Sequence, residues 1–332
     1  MSLLTQESHY YTLVPEGINN IFLPSNSVLI TDKNLVKLFP LEIKNKIFIP
    51  PGEEAKTLEV AERCWQEMHR MGLDRQSTVV AFGGGSVTDL AGFAAATYMR
   101  GIASMYIPTT LLGMVDAAIG GKTGINLPTG KSMVGCFHLP ERVYIIPELL
   151  KTLPRNQIAS GMAEVIKYGV IHDSQLFRQL EELEGDITPA MIERCCAIKS
   201  EIVSRDAHEK DVRVILNYGH TFAHAIETAT VYSRFLHGEA VAIGMSLAAK
   251  AAEKLGWVDS TFVRKQNALI QKFGLPTTLP PDIDPVKLIS LMKKDKKATD
   301  GKIRLILPKE IGTVLQYINN DDEFLKKVLM SE

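Results

Sequence analysis

Hydrophobic residues follow two different periods along this chain, and the change divides it into two parts. In the first 155 residues, short apolar runs of strand length alternate with stretches in which apolar residues recur at helical spacing. This alternation predicts an α/β layer built on a parallel sheet. Strands are predicted at Ser27–Asp32, Lys46–Pro50, Thr78–Phe82, Ser104–Pro108 and Val143–Pro147, and a helix at Val60–Met71.

From about residue 156 the apolar spacing is mostly helical. Long helical stretches are predicted from Ile158 to Lys272, and a group of prolines then indicates a loop. A last helix over Val286–Lys293 precedes a predicted strand at Lys302–Pro308. We therefore predict an α/β domain over residues 1–155 and a mostly α-helical domain over residues 156–332.

Composition narrows the class of protein. A length of 332 residues suggests about two domains, and 37 basic against 38 acidic residues leave a net charge of −1, which points to neither nucleic acid nor an anionic membrane. No run approaches the roughly 18 apolar residues that span a bilayer, and the N-terminus lacks the pattern of a signal peptide. The four cysteines form no CxxC motif. We therefore expect a cytoplasmic protein with reduced thiols.

Three of the eight histidines fall within eighteen residues and offer the first candidate chemistry. His220 and His224 are four apart and share one face of a predicted helix, while His237 opens the next helical run. Imidazole is a usual zinc ligand, although ordinary core or surface histidines remain the alternative. The pair is not the HExxH motif of metalloproteases, because Glu does not follow the first histidine. A metal site would need a carboxylate from elsewhere in the chain.

Three consecutive glycines, Gly83 to Gly85, lie between a predicted strand and a helix rich in small residues. Such a turn lets the backbone approach a pyrophosphate at the helix N-terminus. The match to GxGxxG is incomplete, because Thr88 holds the third glycine position, so a purely structural turn is an equal alternative. A P-loop ending at Gly121-Lys122-Thr123 is rejected, because the glycine it requires is replaced by Asp116.

Charged residues inside apolar segments give further candidates. Asp116 and Lys122 lie among small apolar residues, and Glu164 and Lys167 are three apart on one face of an apolar helix. Such groups pair with each other, bind a ligand or bind a metal, and a simple i,i+3 ion pair remains open for Glu164 and Lys167. Basic and amide side chains that would suit an anionic substrate follow at Lys199, Arg213, Asn217 and the run Lys293–Lys297, although such a run is also typical of a solvated surface.

Six motifs, taken together and in order, closely resemble the 3-dehydroquinate synthase family. They are GGGSVTDLAGFAAATYMRGI, PTTLLGMVDAAIGGKTGIN, KTLP, SGMAEVIKYG, LNYGHTFAHAIE and HGEAVAIGM. The resemblance runs from about Asp32 to Leu307. It implies a dehydroquinate synthase-like fold, with a Rossmann-like nucleotide-binding domain before a helical domain and the active site between them. It also implies a homodimer, NAD used catalytically, and a divalent metal, zinc or cobalt.

The resemblance also assigns residues to roles. The metal ligands fall on Glu164, His220 and His237, which supplies the missing carboxylate and leaves His224 to the substrate. NAD is assigned to Asp32, Asn34, Glu53, Lys56, Gly84, Gly85, Ser86, Val87, Thr88, Asp89, Thr109, Thr110, Lys122, Lys131 and Thr152. The substrate is assigned to Asp116, Lys122, Lys131, Lys167, Lys199, Arg213, Asn217, His224 and a late lysine, Lys297 in preference to Lys296. Arg100 is expected to reach the neighbouring subunit's site.

The implied reaction converts the sugar phosphate 3-deoxy-D-arabino-heptulosonate 7-phosphate into 3-dehydroquinate and phosphate, a step of aromatic amino acid biosynthesis. It combines an internal NAD redox cycle, phosphate elimination and an intramolecular aldol closure. The alternatives are a cyclase for another sugar phosphate, in which the carboxylate-binding Arg213 should be changed, a metal-dependent polyol dehydrogenase, and a non-catalytic scaffold. One departure concerns Ser132, since the family usually has Asn there in contact with phosphate; we expect a weaker phosphate grip but the same reaction.

Overall fold

The computed structural model describes residues 10–128, 130–294 and 302–330. Contacts divide the chain into two compact units. The first contains the chain up to Pro154 together with Ile192–Glu201, and the second contains Arg155–Met191 and the chain from Ile202 onward. Within the described ranges, no helix is both long and apolar enough to cross a membrane.

The first unit is built on a six-stranded, fully parallel sheet in the order β1-β8-β5-β4-β2-β3. Its middle strands are buried along their whole length, as expected for parallel strands covered on both faces. A separate antiparallel pair, β6 and β7, was not predicted from the sequence. The strands are β1 (Tyr11–Leu13), β2 (Ser27–Thr31), β3 (Asn45–Phe48), β4 (Thr78–Gly83), β5 (Ala103–Pro108), β6 (Lys122–Leu127), β7 (Gly130–Phe137) and β8 (Arg142–Ile145).

Helices in the first unit follow the strands. They are α1 (Lys33–Leu38), α2 (Leu58–Arg70) and α3 (Gly85–Thr97), with 3-10 turns at Ile18–Asn20, Gly52–Ala55, Tyr98–Arg100 and Pro147–Thr152. Of these helices, α2 and α3 lie where the sequence predicts a helix, whereas α1 is not predicted. A π-helical turn at Gly113–Ala117 contains Asp116. Such wide turns are rare and frequently mark functional sites.

The second unit is mostly helical, as predicted, and also carries an antiparallel hairpin of β9 (Ile303–Glu310) and β10 (Thr313–Asn319). Its helices are α4 (Arg155–Ile171), α5 (Ser174–Glu182), α6 (Pro189–Arg205), α7 (His220–Ala229), α8 (His237–Lys254), α9 (Ser260–Lys272), α10 (Pro285–Lys294) and α11 (Asp322–Leu329), with a 3-10 turn at Val212–Asn217. Of these elements, β10 and α11 were not predicted.

One segment departs from the predicted division at residue 155. Ile192–Glu201, the middle of α6, groups with the first unit although its sequence neighbours belong to the second. Two contacts of this segment explain the grouping, since Cys196 Sγ lies 3.3 Å from the Met114 carbonyl oxygen and Lys199 Nζ bonds to Asp116. Both partners lie within the π-helical turn, where the carbonyl oxygens of Met114 and Asp116 each accept a hydrogen bond from a side chain of α6.

Candidate metal and nucleotide sites

Glu164, His220 and His237 come together inside the second unit. Glu164 lies in the middle of α4, and the two histidines are the first residues of α7 and α8. One ligand atom from each lies within 4.8 Å of the others. Glu164 is fully buried, whereas His237 keeps about a third of its side chain exposed. Three protein ligands with one accessible side are the pattern of a catalytic rather than a structural zinc site.

Glycine explains how three helices approach so closely. A Cβ atom at Gly238 would overlap the Ser160 carbonyl oxygen, so only glycine lets the start of α8 lie against α4. The Gly238 amide also donates a hydrogen bond of 3.0 Å to Ser160 Oγ. Gly244 meets the carbonyl of Gly219 in the same way where α7 begins. These close approaches bring His237 and His220 to Glu164.

The environment of Glu164 fits a cation. Its Oε1 lies 3.5 Å from His220 Nε2 and 3.8 Å from His237 Nε2, and its Oε2 forms an ion pair with Lys167. Both oxygens are buried, and neither accepts a hydrogen bond from the residues that the structure describes. Donor atoms around a tetrahedral zinc ion lie about 3.3 Å apart, given bond lengths near 2.0–2.1 Å. The residues present therefore fit a divalent metal of the zinc type.

His224 lies outside this cluster. It follows His220 by one helical turn on α7, and the two rings pack edge to face with centroids 5.7 Å apart. The group whose ligand atoms converge contains His237 and not His224. The i,i+4 pair is thus divided, with one histidine among the converging ligand atoms and the other beside them.

The other residues expected to bind substrate in the second unit are each held by neighbours. Lys167 is almost fully buried against Glu164. The buried Arg213 donates a hydrogen bond of 2.8 Å to the Ala207 carbonyl. Asn217 donates one of 2.5 Å to Glu209, a residue with a left-handed φ of 56° that the sequence analysis did not name. Lys296 and Lys297 lie outside the described residues.

In the first unit, Asp116 and Lys199 form a compact pair. Lys199 Nζ donates to the Asp116 carboxylate at 2.7 Å and to its backbone carbonyl at 2.6 Å. The pair is well shielded from water, since the Lys199 side chain is 7% exposed and that of Asp116 22%. Lys122, at the start of β6, is exposed, and Lys131, near the start of β7, is half-buried.

Most of the residues assigned to NAD follow the carboxyl ends of parallel strands, where α/β sheets bind nucleotides, whereas Lys122 and Lys131 lie on the antiparallel pair of β6 and β7. Gly84 precedes α3, and Ser86, Val87, Thr88 and Asp89 form its first turns. Asp32 caps α1 through the amides of Asn34 and Leu35. Thr109 and Thr110 directly follow β5, and Thr152 ends a 3-10 turn. Capping of α1 is by itself a sufficient structural reason for an aspartate at position 32. The assignment of Asp32 to NAD therefore stays a prediction.

Lys56 is not part of a surface ion pair with Glu53, which the i,i+3 spacing alone would suggest. It is buried, and its Nζ lies 2.7 Å from Asp89 Oδ2 and 3.1 Å from Ser132 Oγ. Glu53 instead accepts hydrogen bonds of 3.0 Å from Ser86 and 2.9 Å from Asn126. The partners come from the start of α3 and from the β6–β7 pair, a tertiary arrangement that sequence spacing does not contain.

Two positions discussed in the sequence analysis, Arg100 and Ser132, have strained left-handed backbone conformations. Met99 and Arg100 have φ values of 48° and 70°, which is unusual for residues with a side chain, and they place Arg100 at an exposed turn. Ser132 has a φ of 49°, a left-handed conformation that Asn adopts more readily than Ser. The departure at residue 132 therefore changes backbone preference as well as the side-chain donor.

The chain matches one protein family over most of its length. Residues 46–160 match the model described as 3-dehydroquinate synthase N-terminal, and residues 161–298 match the one described as 3-dehydroquinate synthase C-terminal. The chain is 46% identical over 290 residues to the 3-dehydroquinate synthase of Nostoc punctiforme, which covers 85% of this chain and 80% of that protein. The chain belongs to the 3-dehydroquinate synthase family.

Solved structures of related cyclases share the fold of this family member. One is ValA, a 2-epi-5-epi-valiolone synthase from Streptomyces hygroscopicus with NAD⁺ and Zn²⁺ bound, with a TM-score of 0.89, 27% identity and coverage of 99% of this chain and 98% of that one. Another is a 2-deoxy-scyllo-inosose synthase complexed with carbaglucose-6-phosphate, NAD⁺ and Co²⁺, with a TM-score of 0.85, 26% identity and coverage of 96% and 95%.

Proposed function

We propose that the chain is a 3-dehydroquinate synthase, a carbon–oxygen lyase that needs NAD and a divalent metal. Its substrate would be 3-deoxy-D-arabino-heptulosonate 7-phosphate, and its products 3-dehydroquinate and phosphate. The observation that carries the proposal is the buried cluster of Glu164, His220 and His237 in a chain that is 46% identical to a protein of that name. The cyclases for other sugar phosphates stand at 27% and 26% identity, which favours the heptulosonate phosphate.

Glu164, His220 and His237 would hold the metal. A divalent cation bound there supplies Lewis acidity, which lowers the pKa of a coordinated substrate hydroxyl. Lys167 holds the second oxygen of Glu164, so that the first oxygen faces the two histidines. One oxygen of Glu164 thus faces an ammonium group and the other faces two imidazoles, and no backbone amide of the described residues donates to either.

The anionic groups of the substrate match the cationic side chains. A guanidinium binds carboxylates with two parallel hydrogen bonds, so we assign the substrate carboxylate to Arg213, whose orientation is fixed by its bond to Ala207, with Lys199 as a second donor. Phosphate is assigned to Asn217 and His224, together with Lys122 and Lys297, and Lys131 to the substrate pocket. Asp116 keeps Lys199 in place through two bonds to its ammonium group.

The nucleotide would be held by the first unit. Gly84 and Gly85 open α3 and leave backbone amides for a pyrophosphate, and Lys56 and Asp89 lie beside them as a buried pair. A bound NAD⁺ would supply a reversible hydride acceptor, so that a complete cycle would form no net NADH. We also propose a homodimer, in which the exposed Arg100 reaches the partner subunit's site.

The decisive experiment measures phosphate release from the heptulosonate phosphate with catalytic NAD and added zinc, while absorbance reports NADH. We expect stoichiometric phosphate and no net NADH. Accumulating NADH would overturn the proposal in favour of a dehydrogenase. Turnover of glucose 6-phosphate or sedoheptulose 7-phosphate, with none of the heptulosonate, would overturn the choice of substrate.

A further inference from the structure

Glu227, the last residue of the motif LNYGHTFAHAIE, is a buried carboxylate beside the metal cluster, and the family resemblance assigns it no role. It lies seven residues after His220, two turns along the same face of α7. Its side chain is 4% exposed, and its Oε1 lies 3.3 Å from Nδ1 of His237. A buried carboxylate is costly unless its partners compensate its charge, and the imidazole of His237 is one of those partners.

The two histidines of the cluster share one orientation. Nδ1 of His220 lies 3.1 Å from the Tyr218 carbonyl, and Nδ1 of His237 faces Glu227. In both rings it is therefore Nε2 that points to Oε1 of Glu164. A neutral imidazole that donates from Nδ1 presents a lone pair at Nε2, which is the form that binds a metal.

Charge gives a second reason for a carboxylate here. Glu164 is paired with Lys167, so these two side chains together add no net charge to the cluster. Two neutral imidazoles add none either. Of these five side chains, Glu227 alone adds a net charge, and its negative charge would partly compensate a dication in this buried environment.

We propose that Glu227 is a positioning residue for the metal site: it fixes the Nδ1–H tautomer and the orientation of His237 and adds negative charge behind that ligand. The proposal rests on the metal-dependent function proposed above. Glu227 itself is not among the residues whose ligand atoms converge, so it acts through His237.

Zinc affinity tests this role without reference to activity. The metal-free protein is titrated with zinc in competition with a chromophoric chelator, for the parent and for Glu227→Gln and Glu227→Ala. Loss of such outer partners typically weakens metal binding about 10- to 100-fold, and we expect the smaller loss for Gln, which keeps an acceptor, and the larger for Ala. Glu253→Gln, at the opposite end of α8, is the matched control and should bind zinc like the parent.

Nitrogen-15 shifts of the His237 ring in the metal-free protein give the second readout. We expect the Nδ1–H tautomer in the parent and a mixture of tautomers in Glu227→Ala. Parent-like zinc affinity in both folded variants, or an unchanged tautomer, would overturn the role of Glu227 alone. A parent that binds no zinc would instead overturn the proposed metal-dependent function. Circular dichroism identifies variants that fail to fold, and the nearly isosteric Gln variant then decides.

Discussion

The cluster in the second unit and the polar network in the first are built in opposite ways. Glu164, His220 and His237 lie on three helices, and the oxygens of Glu164 accept no hydrogen bond from the described residues. The network of Lys56, Asp89 and Ser132 joins a 3-10 turn, a helix start and a hairpin, and its members bond to one another. Glu53, Ser86 and Asn126 extend it.

This difference indicates what each region does without a ligand. Oε1 of Glu164 accepts no hydrogen bond from the described residues, and the ion pair with Lys167 lies at Oε2, so a bound cation would stabilise this buried oxygen most. A network that satisfies itself stabilises the fold first and presents a ligand surface second. Changes in the cluster should therefore affect metal binding strongly and folding little, and changes in the network should affect the stability of the first unit.

The largest effect is expected for Glu164→Gln. The amide keeps the shape but removes the charged ligand, so we expect zinc affinity and activity to fall at least about 100-fold. Zinc content after dialysis and the phosphate-release assay measure both. His224→Ala is the comparison, because it removes a neighbouring histidine from the same helix face, and it should keep the metal and lose activity. An empty site in His224→Ala would show that the histidine pair is divided wrongly.

Lys56→Met tests the stabilising role of the network. It leaves Asp89 without its ammonium partner in a site where the lysine side chain is 5% and the aspartate side chain 23% exposed, so we expect a loss of about 2 kcal/mol in the free energy of unfolding. Urea denaturation measures it. The double variant Lys56→Met/Asp89→Asn should recover part of the loss, because no lone charge remains.

The exposed pair of Lys293 and Asp322 provides a matched control for this change. Both side chains are more than 40% exposed, so Lys293→Met should lower stability by less than about 1 kcal/mol. Equal losses in Lys56→Met and Lys293→Met would contradict a self-supporting network in the first unit.

The two regions differ in how much of their structure the sequence patterns predict. The buried strands β4 and β5 are short, mainly apolar runs, and this pattern alone predicts a buried strand. The hairpin of β6 and β7 has no such alternation, because Met133, Val134 and Phe137 are apolar and exposed. For that reason the sequence does not predict the hairpin. It also does not predict the contact between Ser132 and Lys56, which are 76 positions apart.

The metal cluster was only partly readable from local spacing. An i,i+4 histidine pair is visible, but spacing cannot decide which member is a ligand, because both lie on one helix face. In the structure His220, and not His224, converges with Glu164, and the close approach of α8 to the start of α7 at Gly244 and Gly219 helps to place it there. The spacing of Glu227 could have identified it, since it lies seven residues after His220 on the helix face that His220 and His224 share.

Substitutions at Ser132 test the network of the first unit through a smaller expected effect on stability. Its φ of 49° favours Asn, so Ser132→Asn should be at least as stable as the parent, by up to about 0.5 kcal/mol. Ser132→Ala keeps the strained conformation and removes the acceptor for Lys56, so it should lose about 0.5–1 kcal/mol. Thermal unfolding compares the two, and an Ala variant as stable as the Asn variant would show that the hydroxyl contributes nothing.

The smallest expected effect is the pH dependence that Glu53 gives to the first unit. Neighbouring protein atoms exclude water from its carboxyl group and so raise its pKa, but the Lys56 charge and the Asn126 hydrogen bond lower it by more. The charge of Lys131 and the hydroxyl of Ser86 act in the same direction, and the pKa of Glu53 ends below its ordinary value.

Because the pKa of Glu53 is lower in the folded than in the unfolded chain, its contribution to stability is fully present above the ordinary glutamate pKa, about 4.3, and is lost as pH falls through the folded value. The difference in unfolding free energy between the parent and Glu53→Gln should therefore be constant from about pH 7 to pH 5.5 and shrink below about pH 4.5. Urea denaturation across this range measures it. A difference that stays constant down to pH 3 would mean that the hydrogen bonds of Glu53, and not its charge, hold the network together. Ionisation of Glu53 would then contribute nothing to the stability of the first unit.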